Sequence, residues 1–261
     1  MNLNLQDKVI IVTGGSKGIG YGIATALVEE GAIPFIIGRN QPTVLEAVKS
    51  IEEKGGKAGY AFAELTDPDQ CIAAIEKAVT EYGRIDGLVN NAGVNDSIGL
   101  ESGSYEGFIE SLKRNVVHYY QMAHLVLPHL KKSKGAIVNI GSKTSLTGQG
   151  GTSGYAAANG ARNALTREWA VELLPYSIRV NAVIVAECYT PLYDRWIKTF
   201  DNPEEKLASI TKNIPLENRM TTAQEIADTV TFLLSEKSGH TTGQLLFVDG
   251  GYTHLDRSLA H

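Results

Sequence analysis

Between Lys8 and Gly20 the chain reads KVIIVTGGSKGIG, an apolar run followed by a glycine-rich turn. Val9-Ile10-Ile11-Val12 has the length of a strand buried on both faces, and Ile23, Ala26 and Leu27 then mark a helix ending at Gly31. A strand, a glycine turn and a helix N-terminus together make an anion site. The first-turn amides are unpaired and the helix dipole favours negative charge. Gly14, Gly18 and Gly20 allow a sharp turn and a close approach to a pyrophosphate, with Ser16, Lys17 and Ile19 between them. A strand-to-helix turn without a ligand has the same form, so the rest of the chain must decide.

Other candidates fall where strands end. Ser142 follows the apolar run Ala136 to Ile140, and Asn90-Asn91-Ala92-Gly93 closes the run that begins at Ile85. Tyr155 lies in the first turn of a long helical pattern, with Asn159 one turn further along the same face. Asn115 lies inside a helical region between the fourth and fifth strands. A single serine or tyrosine near a helix start is usually structural; the set, beside the glycine turn, is not so easily dismissed.

The elements that position these residues alternate regularly. Strands are expected at Ile33 to Ile37, Ala58 to Leu65, Ile85 to Asn90, Ala136 to Ile140, Arg179 to Val185 and Gln244 to Val248. Helices are expected over Thr43–Lys54, Asp67–Tyr82, Tyr105–Lys132, Gly154–Leu174 and Thr222–Ser235, with a stripe of Ile72, Ile75 and Val79 buried in the second of these. Residues 187–215 read as polar substrate loops. The pattern is that of an α/β protein: one domain over 1–261, a doubly wound parallel sheet of about seven strands, and helices on both faces. Right-handed crossovers put the ligand crevice at the carboxyl ends of the strands.

Composition narrows the function. A net charge of -5 without a basic run argues against a nucleic-acid partner. Cys71 and Cys188 form neither a disulfide framework nor a metal motif, so no metal is expected and a reducing compartment is the simpler reading. MNLNLQDK lacks the features of a signal peptide, and no apolar stretch is long enough to span a membrane. A cytoplasmic enzyme with a small-molecule substrate is the expectation.

TGGSKGIG, NNAG, Ser142 and Tyr155 together resemble the short-chain dehydrogenase/reductase family over nearly the whole chain, from Lys8 to about Gly251. The resemblance implies a Rossmann-type fold and hydride transfer between a nicotinamide carbon and a carbinol carbon. It implies that Tyr155 exchanges the substrate hydroxyl proton, that Ser142 holds the substrate oxygen and that Asn115 helps carry a water chain. The family's fourth member is a lysine, and Asn159 stands there instead. Asparagine can bond a ribose hydroxyl but brings no charge to favour a phenolate. Either the chain is catalytically weakened, or it is an inactive cofactor-binding protein, or another cation substitutes. On sequence alone, Asn159→Lys is expected to raise turnover. Val185-Ala186 also departs from the family's Pro-Gly, while Thr190, implied to meet the nicotinamide carboxamide, is retained.

An NAD enzyme places an acid after the second strand to hold the adenosine ribose. Gly38-Arg39-Asn40 offers none, and Arg39 with Lys17 suits a ribose 2′-phosphate, favouring NADP over NAD unless both are only surface charges. Glu64 and Leu65 match the family position bordering the adenine, and Asn91, Ala92, Gly93 and Val185 its dinucleotide contacts. Asn95, Lys143, Gln149 and Glu187 make the expected substrate loops polar, as a sugar or polyol requires, although each could simply face water. NNAGVND, SKTSLTGQG, ECYTPLY and LLFVDGGYTHLDR are similar to bacterial L-fucose dehydrogenases within the family; a ketone or acyl-carrier reductase on the same fold is the alternative. The family resemblance further implies a homotetramer built on the helices near Asn115–Lys131 and Tyr155–Leu174, with Val116, Val117, Leu165 and Trp169 as apolar candidates.

Overall fold

Val9–Thr13 (β1) is buried at every position, as an interior parallel strand must be. Gly87–Asn90 (β4) and Ala136–Ser142 (β5) are buried throughout, Ile33–Gly38 (β2) and Arg179–Val185 (β6) at all but one end, while the edge strands Gly59–Phe62 (β3) and Leu245–Val248 (β7) are only partly buried. The computed structural model, which describes residues 2–255, joins these strands in one parallel sheet of order β3-β2-β1-β4-β5-β6-β7. The helices are Gly18–Glu29 (α1), Gln41–Glu53 (α2), Pro68–Tyr82 (α3), Tyr105–Leu112 (α4), His118–Ser133 (α5), Ser153–Glu172 (α6), Pro191–Ile197 (α7), Pro203–Thr211 (α8) and Ala223–Leu234 (α9).

Strand periodicity sorts β1 between two cores. Val9 and Ile11 pack with Ile75 of α3, Met122 of α5 and Trp169 of α6, whereas Ile10 and Val12 pack with Leu27 of α1 and Ile226 of α9. The strand order reverses at β1, between β2 and β4, and opens a crevice at the carboxyl ends there.

Three local features depart from the sequence pattern. The single helix expected over Tyr105–Lys132 is interrupted by a π-turn at Lys113–Val117 that contains Asn115. The polar stretch after β6 folds into α7 and α8, capped by Thr190 and Asn202 with proline in each first turn. In α3 the buried stripe is Cys71, Ala74, Ile75 and Ala78; Ile72 is exposed and Val79 only half-buried, so the face is rotated toward the small residues. Of the four apolar positions considered for assembly, Val116 and Trp169 are buried within the chain, Leu165 packs against its core and Val117 is exposed.

Candidate active site

The end of β1 is tied to the end of β4 before any ligand is considered. Thr13 Oγ1 accepts from the amides of Asn91 (2.9 Å) and Ala92 (3.2 Å), and Asn91 Nδ2 donates to the Thr13 carbonyl (2.9 Å). Gly14 and Gly18 adopt left-handed φ of 66° and 56°, and a Cβ on Gly20 would sit 2.3 Å from the Gly14 carbonyl oxygen. α1 therefore starts with bare backbone amides against a cleft of about 680 Å³. This cradle fits a dinucleotide pyrophosphate. Gly14, Ser16, Lys17, Gly18, Ile19, Gly20, Arg39, Glu64, Leu65, Asn91, Ala92, Gly93, Ser142, Tyr155, Val185 and Thr190 all line it.

Ser142 ends β5 opposite Val185 of β6, so Val185 remains within the sheet and also pairs with Val248. The Ser142 Oγ is buried and accepts from the Thr144 amide (3.3 Å) and hydroxyl (3.1 Å). Tyr155 is half-buried in the first turn of α6. The π-turn carries Asn115 to the end of β4. Its Oδ1 accepts from the Val94 amide (2.8 Å), and its Nδ2 donates to the Val94 carbonyl (2.9 Å) and the Ser111 carbonyl (3.0 Å). A helix of regular pitch would rotate that side chain away.

Known proteins share this sequence pattern and fold. The sequence profile of the family described as enoyl-(acyl carrier protein) reductase matches residues 14–253. The chain belongs to the short-chain dehydrogenase/reductase family. Relatives include the 3-oxoacyl-(acyl-carrier-protein) reductase of Thermotoga maritima, 32% identical over 95% of this chain and 99% of that protein. The L-fucose dehydrogenase of Bos taurus is 32% identical over 96% of this chain and 91% of its own length. The crystal structure of the Cj0485 dehydrogenase superposes with a TM-score of 0.93 at 45% identity, covering 99% of each chain.

In this short-chain dehydrogenase, Asn159 is wholly buried and turned inward along its own helix. Its Nδ2 donates to the Tyr155 carbonyl (2.9 Å), and its Oδ1 accepts from Arg162 Nη1 (3.0 Å). Arg162, which the motif-based reading passed over, is 3% exposed. Its Nε donates to the Asn115 carbonyl (2.6 Å) and its Nη1 to the Ile140 carbonyl (3.1 Å), while the guanidinium lies 4.2 Å from the centre of the Tyr119 ring. The signal was present in the sequence: residues 155, 159 and 162 share one helical face. Beside Arg162, His118 Nε2 donates to the Arg114 carbonyl (3.0 Å). Burial and then the Arg162 charge push its pKa down to about 4, so the ring is neutral at pH 7.

The predicted substrate residues divide. Lys143, which is buried, and Glu187, which is half-buried, come together as an ion pair next to Ser142, with the ammonium 3.9 Å from the centre of the Tyr252 ring. Tyr193 lies beside Glu187, and burial and that carboxylate push its phenol well above the ordinary range. Asn95 and Gln149 do not join them. Asn95 is exposed and its Oδ1 closes a turn on the Ser97 amide (3.2 Å), and Gln149 is exposed in the loop before Gly150 and Gly151, both with positive φ. At the opposite end of the cleft Arg39 is paired with Glu64 (3.0 Å). Burial raises the Glu64 pKa, but the hydrogen bonds from Arg39 and Thr66 and the Arg39 charge together outweigh it and hold the carboxyl below its usual range.

Proposed function

We propose that this protein is an NADP-linked dehydrogenase of a sugar or polyol hydroxyl, an L-fucose-like aldose being the first candidate. The Lys143–Glu187 pair carries this reading: two opposite charges, Lys143 buried and Glu187 half-buried, beside Ser142, with a protonated Tyr193 at the carboxylate. A substrate rich in hydroxyls can donate to Glu187 and accept from Lys143 and Tyr193, whereas an acyl chain would desolvate these groups and offer them no hydrogen bond. The likeness to an L-fucose dehydrogenase supports the same reading.

When bound, the nicotinamide dinucleotide supplies the hydride acceptor. The glycine loop holds its pyrophosphate, and Arg39 and Lys17 meet the 2′-phosphate that favours NADP over NAD. Ser142 orients the carbinol oxygen. Tyr155 takes its proton as the C–H hydride leaves, giving a carbonyl product and one released proton. The protein is a homotetramer in this proposal, with exposed Val117, Tyr120, Val171 and Leu174 covered by neighbouring subunits. Free, buried Cys71 and Cys188 suit the reducing cytosol in which the reading places it.

The test is a spectrophotometric screen of aldoses, L-fucose first, against a 3-oxoacyl thioester, with Tyr155→Phe as the blank. Aldose oxidation above that blank supports the reading. Thioester reduction without aldose turnover sinks it.

A further inference from the structure

The position that the family gives to a lysine holds Asn159, yet the catalytic centre does contain a cation. Arg162 lies three residues further along α6, on the Tyr155 face, and lines the cleft. Two of its nitrogens are fixed by the carbonyls of Asn115 and Ile140 and by Asn159 Oδ1. The third, Nη2, is buried without a hydrogen-bond partner among the described residues. It sits against Gly93, where a Cβ would approach it to 2.9 Å, so only a glycine leaves this guanidinium its place at the end of β4. No carboxylate pairs with Arg162 among the described residues.

A buried cation with an open donor and no counter-anion is unfavourable unless something else uses it. A structural arginine would be saturated, as buried polar groups nearly always are. We infer that Arg162 is the cation of the catalytic centre: it supplies the positive charge that position 159 lacks, and Nη2 donates to the nicotinamide ribose when the dinucleotide binds. Asn159 is then a positioning residue and not a lesion. Its amide links the Tyr155 carbonyl to the guanidinium and fixes the distance between base and cation. The titratable groups that feel the Arg162 charge are His118 and Tyr119 on α5; Tyr119 also feels Tyr155, and His118 also feels Glu64. His118 is uncharged at pH 7, so it does not compete as the cation.

The inference rests on the dehydrogenase chemistry proposed above and reverses one expectation. With Arg162 in place, Asn159→Lys puts a second cation against the first and loses the clamp, so it lowers turnover. The experiment compares the parent with Arg162→Met, Asn159→Lys and the double variant Asn159→Lys/Arg162→Leu. Turnover of L-fucose, its pH profile, NADP affinity and the His118 titration are measured on each, with circular dichroism to verify folding.

Arg162→Met should lose about 10²-fold in kcat, the scale of a detuned acid/base group, and shift the rate profile to higher pH. It should weaken NADP binding by about tenfold, as loss of a charge-assisted bond does, and raise the His118 pKa. The double variant should recover kcat to within about tenfold of the parent, because the cation is restored from position 159. It also keeps the inference testable if Arg162→Met does not fold. A gain of turnover in Asn159→Lys alone would overturn the inference. So would a folded double variant as slow as Arg162→Met, or an Arg162→Met enzyme with parental kcat and pH profile. If the parent turns over no aldose, the substrate reading fails by itself. The affinity and titration arms then decide, and no change in either Arg162→Met value overturns the role of Arg162.

Discussion

Arg162 and Arg179 are both taken out of bulk water at opposite ends of the same pair of strands, and they are treated differently. Arg179 opens β6 and closes the C-terminus of α9. Its Nη1 donates to the Leu233 carbonyl (2.7 Å) and Ser238 Oγ (2.6 Å), and its Nη2 to the carbonyls of Ser235 (3.0 Å) and Leu234 (3.4 Å). Its charge meets the negative end of a helix and both terminal nitrogens are used. Arg162, at the carboxyl end of β5, is more deeply buried and leaves Nη2 unpaired. One end of the sheet is finished as structure; the other leaves a buried donor open beside the cleft.

The largest effects should separate these two arginines by kind. Arg162→Met is expected to lose turnover about 10²-fold. Arg179→Met should keep the parental kcat per folded molecule but lose about 3 kcal/mol of stability, since several carbonyls at a helix end are left bare. Urea unfolding beside active-site-titrated kinetics measures both. An Arg179 variant with normal stability and depressed kcat would erase the distinction.

Next in size is a pH effect that belongs only to the cleft end. His118 has a folded pKa of about 4 against an ordinary value of 6.5, so between those pH values the unfolded chain takes up a proton that the folded chain refuses. Above pH 6.5 the residue adds no pH dependence; from there down to pH 4 it should withdraw about 3 kcal/mol of stability. His118→Leu should flatten that part of the stability curve. Arg162→Met should shorten the window from below by raising the folded pKa, and Arg179→Met should leave it alone. Denaturation midpoints at half-unit pH steps test this; a parental curve that is level between pH 6.5 and 4 would contradict it.

What could be read in advance follows from what writes a signal into sequence. Strands buried on both faces appear as unbroken apolar runs, and the glycine loop shows because glycine takes φ of 66° at Gly14 without strain and only glycine fits the approach at Gly20. The π-turn at Lys113–Val117 leaves no compositional mark, since one extra residue in a helical turn changes no residue type. α7 and α8 were missed because α7 buries only Ile197 and α8 buries no residue, so neither carries an apolar period. Lys143 and Glu187 were found singly by polarity, but their pairing needs the register that sets Ser142 beside Val185. Arg162 was visible at helical spacing from Tyr155 and was passed over because the family motif ends at position 159.

A third arginine sharpens the comparison at the smallest scale. Arg39 is exposed at the end of the cleft away from Ser142 and bonded to Glu64, with side-chain exposures of 77% and 39%. A pair this open contributes at most about 1 kcal/mol to folding, so its replacement should barely move the melting temperature. Its importance is to selectivity. Because Glu64 holds Arg39 in the absence of a phosphate, a 2′-phosphate must displace a carboxylate to reach the guanidinium. Glu64→Gln should therefore tighten NADP by a few-fold, on the order of one released charge-assisted bond, and leave NAD nearly unchanged. Arg39→Asp should weaken NADP by about tenfold and leave NAD equal or tighter, because two carboxylates then face the ribose hydroxyls and repel a phosphate. Titrations of both dinucleotides against both variants read the effect directly. Equal losses for NADP and NAD in Arg39→Asp would make Arg39 structural, like Arg179, and would remove the main support for NADP.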